Sequence, residues 1–435
     1  MKRKLVTVLV GLLVSNGLFA GGMVHNSNQS AEYMRTLNRN ASTDLDAAFF
    51  NPAGLTKLPD GFHLYLSNQT IWQTRTVDTE FPNYNNQQFT GSTFAPAFPN
   101  IYLIKKSGKL AFSGGFMPIG GGGSAEFPNG LPSFDYQLAR LVGLPAAAVD
   151  PALSLYGTIT GYGVTTSFVG SSIYFSGQGS VSYALNPMVS LSVGIRHIYA
   201  LNTYTGSLTD AVLSATGGNI VGVIPDINVD SKRTGSGITP LFNVYLSPSD
   251  MIGLSIRYEP LTKLKMVADT KEDGTIVLGA PGMFPDGAEY NEDLPPQLSF
   301  GLNLKPTSRI MVATSFDYWQ NDKVNWDGRE ANVSNNWEGG ASIDFGLSDA
   351  LTVSAGYLKA ATGANDFYQT DLSYSLDTDT FAGGFKYALN PSTALSFGIS
   401  NTWYHEGHNE DVGTIYEERY NKTAFVIAFG LSKSL

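Results

Sequence analysis

The chain has 435 residues, no cysteine, 27 Lys and Arg against 37 Asp and Glu, and a formal net charge of −10; 43% of its residues are hydrophobic and 12% aromatic. The lack of cysteine rules out disulfides and thiolate metal sites and suits a chain that crosses an oxidising compartment unfolded. The acidic balance argues against nucleic-acid binding, and no stretch reaches the ~20 consecutive apolar residues that a membrane helix needs.

The first element is a basic start, Lys2-Arg3-Lys4, before an apolar run from Leu5 to Val14, followed by Ser15-Asn16-Gly17, Leu18-Phe19-Ala20 and the small pair Gly21-Gly22. This predicts a secretory signal peptide over residues 1–20, removed near Gly21. Residues 21–58 do not alternate and are rich in Asn, Ser, Ala and charge, ending in Ala47-Ala48-Phe49-Phe50-Asn51-Pro52-Ala53-Gly54-Leu55-Thr56-Lys57-Leu58. They are polar enough to lie inside a barrel lumen, and the same composition would serve a disordered periplasmic tail. Asn51-Pro52 reads as a turn or as an Asn N-cap with Pro at the first helical position.

From residue 59 to 435 the chain alternates with period two. Leu191, Val193 and Ile195 point one way and Ser192, Gly194 and Arg196 the other; Ile252, Leu254, Ile256 and Tyr258 oppose Gly253, Ser255, Arg257 and Glu259. Strands are predicted over 60–75, 92–105, 109–118, 168–185, 188–204, 235–247, 251–266, 295–304, 309–324, 333–347, 351–362, 376–389, 393–405 and 420–433. Short turns such as Leu185-Asn186-Pro187-Met188, Leu304-Lys305-Pro306-Thr307 and Leu389-Asn390-Pro391-Ser392 join alternate pairs, and longer loops join the rest. An even number of strands, each with an apolar and a small-polar face, is best satisfied by an all-β, transmembrane antiparallel β-barrel of 14 strands, apolar toward lipid and polar within. The last strand, with Phe425, Ile427, Phe429 and Leu431 on one face, ends near Leu435 and resembles the terminal signal read by barrel-assembly machinery.

Two stretches depart from the pattern. Gly114, Gly115, Pro118 and Gly120 to Gly123 fall where the third strand should run, so they predict a kink there or a glycine-rich loop after a short strand. Leu141, Val142, Leu144, Leu153 and Leu155 make the following loop unusually apolar, with two short helices expected in residues 136–156, divided by Pro145 and Pro151. Val212, Leu213, Ile220, Val221, Val223 and Ile224 give the next large loop the same character. Such loops form a binding groove or pack on one another to close the barrel mouth.

The inward faces carry Arg196, Arg257, Glu259, Asp317, Asp344 and Lys386. Arg196, Arg257 and Lys386 are candidates to hold a ligand head group, or to pair with acids and stiffen the interior. The five histidines accompany no nucleophile elbow or zincin helix, so no enzyme, metal site or cofactor is expected, and His405-Glu406-Gly407-His408-Asn409-Glu410-Asp411 reads as a solvated acidic loop.

The string Ala47 to Leu58, preceded by Ala-Ser-Thr-Asp and placed before the first strand, resembles the amino-terminal plug of the FadL family of outer-membrane transporters for long-chain fatty acids and aromatic hydrocarbons. The resemblance covers the chain in order: signal peptide 1–20, plug 21–58, barrel 59–435. It implies a monomeric barrel in the bacterial outer membrane whose lumen is blocked by the plug, with Asn51, Pro52 and Ala53, flanked by Phe49 and Phe50, at the gate. It also implies capture of a hydrophobic small molecule by the loops and lateral release through a gap at the kinked third strand. Tyr199-Ala200-Leu201-Asn202, where fatty-acid members place a basic head-group contact, holds no cation, which leaves room for an uncharged lipophile. The expected partners are that ligand, outer-membrane lipid and lipopolysaccharide, and the barrel-assembly machinery with periplasmic chaperones. The competing reading is a general porin for polar solutes.

Overall fold

A computed structural model describes residues 23–25, 27, 30–223, 225–275, 282–409 and 417–435. The expected signal peptide, Ile224 and the acidic pair Glu410-Asp411 lie outside the described residues. Fourteen antiparallel strands form one closed sheet: β1 (Gly61–Thr79), β2 (Gln88–Ala95 and Asn100–Ser107), β3 (Leu110–Phe127), β4 (Ile159–Ala184), β5 (Val189–Ala215), β6 (Ile227–Ser249), β7 (Ile252–Glu259 and Lys265–Asp273), β8 (Glu289–Asn291 and Gln297–Thr307), β9 (Ile310–Trp319), β10 (Asn336–Gly346), β11 (Leu351–Ala361), β12 (Thr378–Asn390), β13 (Thr393–Tyr404) and β14 (Glu418–Ser434). Each pairs with the next, and β14 returns to β1 from Thr79↔Glu418 to His63↔Ser434, so no sheet edge is left open.

The alternation sets the inside and the outside. On β5, Leu191, Val193 and Ile195 are exposed while Ser190, Ser192 and Arg196 are buried; on β14, Phe425 and Phe429 are exposed while Ala424, Val426 and Ala428 are buried. An outward apolar band around a polar interior is the arrangement that lipid requires.

Four strands run well beyond the predicted ranges: β3, β4, β5 and β6 span 18, 26, 27 and 23 residues, past the ~9–11 that cross a bilayer. Val212 and Leu213 therefore belong to β5, and Val221 to a short strand, Asn219–Val223, that pairs back on it. β4 and β5 continue because Ala211, Leu213 and Ala215 find an apolar layer to pack on. That layer includes α3 (Pro132–Ala139) and α4 (Ala146–Val149), followed by a 3₁₀ turn at Pro151–Tyr156; the first helix begins at Pro132, ahead of the predicted 136.

Residues 30–58 lie inside the barrel and are buried nearly throughout. They form α1 (Ala31–Thr36), α2 (Ala47–Phe50) and a 3₁₀ turn at Pro52–Lys57. Ser30 caps α1 by accepting from the Tyr33 N–H at 3.2 Å, and Leu37 ends it in the left-handed region at φ 62°. The wall makes room with lumen-facing glycines. A Cβ at Gly356 on β11 would stand 2.0 Å from the Thr36 carbonyl oxygen, and one at Gly398 on β13 would stand 2.7 Å from the Arg35 backbone nitrogen.

This close approach gives a test. Gly356→Val should leave a heat-modifiable barrel, because overpacking typically costs ~1–3 kcal/mol, but should displace α1. Protease should then clip residues 30–58 in detergent while the native chain resists. Equal resistance would show that the segment does not depend on the glycine-lined wall.

Candidate functional site

The inserted segment is held by polar contacts that alternate between its backbone and inward side chains. Asn51 does not cap the following turn. Its Nδ2 donates to the Ser42 carbonyl at 2.8 Å and its Oδ1 accepts from Ser255 Oγ at 3.0 Å, while Pro52 takes the first turn position, where no N–H is needed. The Ala53 N–H donates to Asn243 Oδ1 at 2.8 Å, and Ser182 Oγ donates to the Pro52 carbonyl at 2.7 Å. Gly54 is required by proximity, since a Cβ there would meet Asn51 Nδ2 at 2.4 Å. The motif is thus a docking surface against β4, β6 and β7.

Phe49 lies against two guanidinium groups, Arg196 at 4.5 Å and Arg257 at 5.1 Å from its ring centre. Arg196 also pairs with Glu259 at 2.6 Å and donates to Gln178, and Arg257 donates to the Phe49 carbonyl at 2.5 Å. Phe50 stacks on Tyr33, with ring centres 5.7 Å apart. Lys386 reaches Asp44 at 3.2 Å and Glu32 at 3.6 Å, and Arg35 joins Glu32 at 2.7 Å and Asp344 at 2.6 Å. Burial works against the Glu32 carboxylate, but Arg35 and Lys386 outweigh it and hold its pKa down to about 2. The three candidate ligand cations are therefore engaged with the inserted segment and its neighbours, as buried charges must be. They do not converge on one cavity.

A group of residues without a counterpart in the sequence reading forms a packed apolar cluster in the polar lumen. Met117 and Ile119 of β3, Tyr174 of β4, Ile198 and Ala200 of β5, Leu264, Met266 of β7 and Leu294 are buried together with Phe49 and Phe50, and Val24 packs against them. The signal is present in the sequence: in Lys263-Leu264-Lys265-Met266 the charged residues face outward and the apolar ones inward, the reverse of Leu254 and Ile256 earlier on the same strand. At one side of the cluster Tyr174 Oη donates to Glu292 Oε2 at 2.7 Å, as does Asn202 Nδ2 at 3.3 Å. The Tyr199 to Asn202 stretch has no cation of its own, but Arg233 stands opposite Asn202 on β6, its guanidinium 3.8 Å from the Tyr290 ring centre. A small void of about 10 Å³ lies between Met23, Val24, Tyr174, Glu292 and Arg329.

The third strand is irregular in the later part of the expected stretch. Gly114 and Gly115 pair regularly with Leu103 and Tyr102 on one side and with Gly179 and Gln178 on the other. They are ladder residues and do not make the kink. The disturbance runs from Pro118 to Gly123, where the register against β4 slips twice and Gly121 and Gly123 take φ of 91° and 75°. Met117, Pro118 and Ile119 are buried in succession, so the strand turns inward. Between Ile101↔Phe116 and Ser92↔Glu126 no ladder pair joins β2 to β3, because Pro96 and Pro99 interrupt β2 at the same level. Residue 27 closes this break from within: the Ser27 N–H donates to the Ile119 carbonyl at 2.9 Å. Nearby, His25 contacts Asn321 Oδ1 at 3.4 Å and packs on Trp319 at 5.0 Å, and burial lowers its pKa to about 4.

The loop residues divide. Leu141 is buried, and Val142 and Leu153 pack on the same cluster with Tyr84, Leu138, Ile159 and Leu213; Leu144 and Leu155 are exposed, Leu155 to 94%. Mutual packing and an open apolar patch coexist. His405 pairs with Asp379 at 2.7 Å, and among the described residues no group of three His, Asp or Glu side chains is arranged to hold a metal ion.

No protein-family model and no curated protein matches the sequence. Among solved structures, the fold is similar to that of a Pseudomonas aeruginosa FadL homologue, at 14% identity over 95% of this chain and 100% of that one, TM-score 0.69. It is similar also to the Pseudomonas putida toluene transporter TodX, at 12% identity, 95% and 100% coverage and TM-score 0.62. The Ralstonia pickettii toluene transporter TbuX matches at 15% identity, 90% and 94% coverage and TM-score 0.56. At these identities the likeness is one of architecture, and the architecture of this chain is the fourteen-stranded barrel of the FadL type.

Proposed function

We propose that the protein is a passive outer-membrane transporter for hydrophobic small molecules, such as long-chain fatty acids or aromatic hydrocarbons. The observation that carries this reading is the meeting of three features at one place: a packed apolar cluster inside a polar barrel, an unpaired stretch of wall between β2 and β3, and Ser27 of the inserted segment bound to β3 beside them. The exposed loop residues Leu144 and Leu155 offer a first contact for a lipophile. The segment from Asn51 to Ala53 anchors the plug, the ligand passes along the apolar cluster when residues 23–25 and 27 yield, and it leaves sideways through the β2–β3 break into lipid. No energy source is needed, because partition into the membrane draws the solute. Against a general porin, residues 30–58 occupy the lumen and are buried nearly throughout.

Asn51→Ala should reduce uptake of labelled toluene or oleate into cells several-fold, since it takes the donor from the Ser42 carbonyl and the acceptor from Ser255 Oγ, at ~1–3 kcal/mol for a buried group left unsatisfied, while the barrel stays heat-modifiable. Unchanged uptake would count against a plug gate. Rapid swelling of proteoliposomes in sugar solutions would favour the porin instead.

The lateral step has its own test. In the cysteine-free chain, Ala97→Cys with Gly122→Cys, joined by a reducible bis-maleimide, should suppress uptake, and dithiothreitol should restore it. Transport that ignores the bridge would remove the lateral exit.

His25 adds a pH dependence. Its docked pKa lies below the ordinary 6.5, so docking is strongest above pH 6.5 and weakens as pH falls from 6.5 toward 4. The protection factor of the peptide that contains Ser27, its exchange rate relative to the intrinsic rate at the same pH, should fall at pH 4.5 relative to pH 7.5, and His25→Phe should flatten the difference. A pH-independent protection factor in the native chain would mean that the imidazole is not buried neutral.

A further inference from the structure

A second stretch of wall is unlaced. Between β6 and β7 the ladder holds to Phe242↔Tyr258 and resumes at Ser236↔Lys265, with no ladder pair in between. Over this interval β7 advances from 258 to 265 while β6 advances from 236 to 242, so β7 carries one extra residue, as at a bulge. Pro240 and Pro260 stand on the two facing strands, and neither has an N–H to give. One side-chain bond, Thr239 Oγ1 to the Pro260 carbonyl at 3.1 Å, replaces the ladder. The strands still touch: a Cβ on Gly237 would stand 2.6 Å from the Lys263 carbonyl oxygen.

The parallel with the β2–β3 break is close. Pro99 lies eight residues before the end of β2 at Ser107, and Pro118 eight after the start of β3 at Leu110. Pro240 lies nine before the end of β6 at Ser249, and Pro260 eight after the start of β7 at Ile252. Both breaks therefore sit at one height above the short turns, and both are backed by one packed apolar cluster. Met117 and Ile119 stand behind the first, and Ile198, Leu264 and Met266 behind the second. Outside the second is an open groove of about 730 Å³ lined by His197, Ser236, Ile238, Pro260, Leu261 and Lys263. Its apolar floor meets the upper edge of the lipid-facing band, where outward residues change from Ile238 to Ser236 on β6 and from Tyr258 to Lys263 on β7.

We propose that the β6–β7 seam is a second lateral opening, through which an uncharged lipophile passes between the apolar lumen cluster and the outer leaflet. It rests on the reading of this chain as a lateral-release transporter. Separating the strands here breaks the Thr239–Pro260 bond but no ladder pair, whereas away from the two breaks lipid would be left facing unpaired backbone groups. The exiting solute meets the apolar side chains of Leu264, Ile198, Ile238 and Leu261, with the uncharged Thr239, Thr262 and Ser236 beside them and His197 and Lys263 at the rim.

The experiment uses the full-length cysteine-free protein in cells with 14C-toluene as the probe. One variant carries Ile238→Cys with Leu261→Cys, a second carries Ala97→Cys with Gly122→Cys, and a third carries both pairs. Each is bridged with the reducible bis-maleimide and measured again after dithiothreitol, so that each bridged protein is its own control for folding. The proposal expects residual uptake in the protein bridged at β2–β3, loss of that residue when β6–β7 is bridged as well, and full recovery on reduction. If the β2–β3 bridge alone abolishes uptake and the β6–β7 bridge alone changes nothing, the second opening is rejected and lateral release stands. If the doubly bridged protein takes up toluene like the reduced one, lateral release itself falls, and the second opening with it.

Discussion

Lipid offers no hydrogen bonds, and that one constraint organises this molecule. Every backbone N–H and C=O in a wall surrounded by hydrocarbon has to find a partner in a neighbouring strand. Closure of β14 on β1 meets the requirement globally, and the alternation of apolar and small polar residues then follows from which face each side chain occupies. Proline is the residue that defeats the ladder locally. It can be carried only where the facing strand asks for no donor, so the pairing of Pro96 and Pro99 with Pro118, and of Pro240 with Pro260, marks where the wall is held by side chains and contact alone.

The interior obeys a second rule, that a buried charge must be paired. Arg35, Arg39, Arg196 and Arg257 are all buried, and each is matched by carboxylates or carbonyls of the inserted segment or the adjacent wall. The segment and the wall are therefore complementary surfaces of one interior. The glycines at 356 and 398 provide the matching shape, since backbone passes where any side chain would stand.

Much of this was legible in the sequence, because a period-two pattern that inverts the soluble rule has few structural solutions. All fourteen predicted strands are present, and the polar stretch before them lies inside. What escaped detection was governed by local chemistry that periodicity does not carry. Of the residues expected to kink the third strand, Gly114 and Gly115 continue the ladder, because paired glycines do so without difficulty, and the break falls at Pro118 and the left-handed Gly121 and Gly123. The strands β4 and β5 run on because apolar loop helices cover Leu213 and Ala215, a tertiary effect invisible in either strand alone. The apolar cluster is not marked by alternation, which carries period and not polarity: Leu264 and Met266 alternate as regularly as Leu254 and Ile256, but toward the opposite side.

The same contacts decide which part of the inserted segment can move. Withdrawing all of it would leave Arg196 and Arg257 without the Phe49 ring and carbonyl, Asp344 without Arg35 and Asp317 without Asn40. Breaking one partner from a buried charge typically costs ~3–5 kcal/mol, so several such losses together exceed the stability of an ordinary domain. The leading end is different. Residue 27 is tied by its N–H and hydroxyl to the Ile119 carbonyl, and His25 by two long contacts, to Asn321 and Asn336, and by packing on Trp319, neutral bonds worth ~0.5–1.5 kcal/mol each. A displacement confined to residues 23–25 and 27 is therefore less costly than extraction, and it leaves the interior charges of residues 30–58 paired where the wall and the segment hold them.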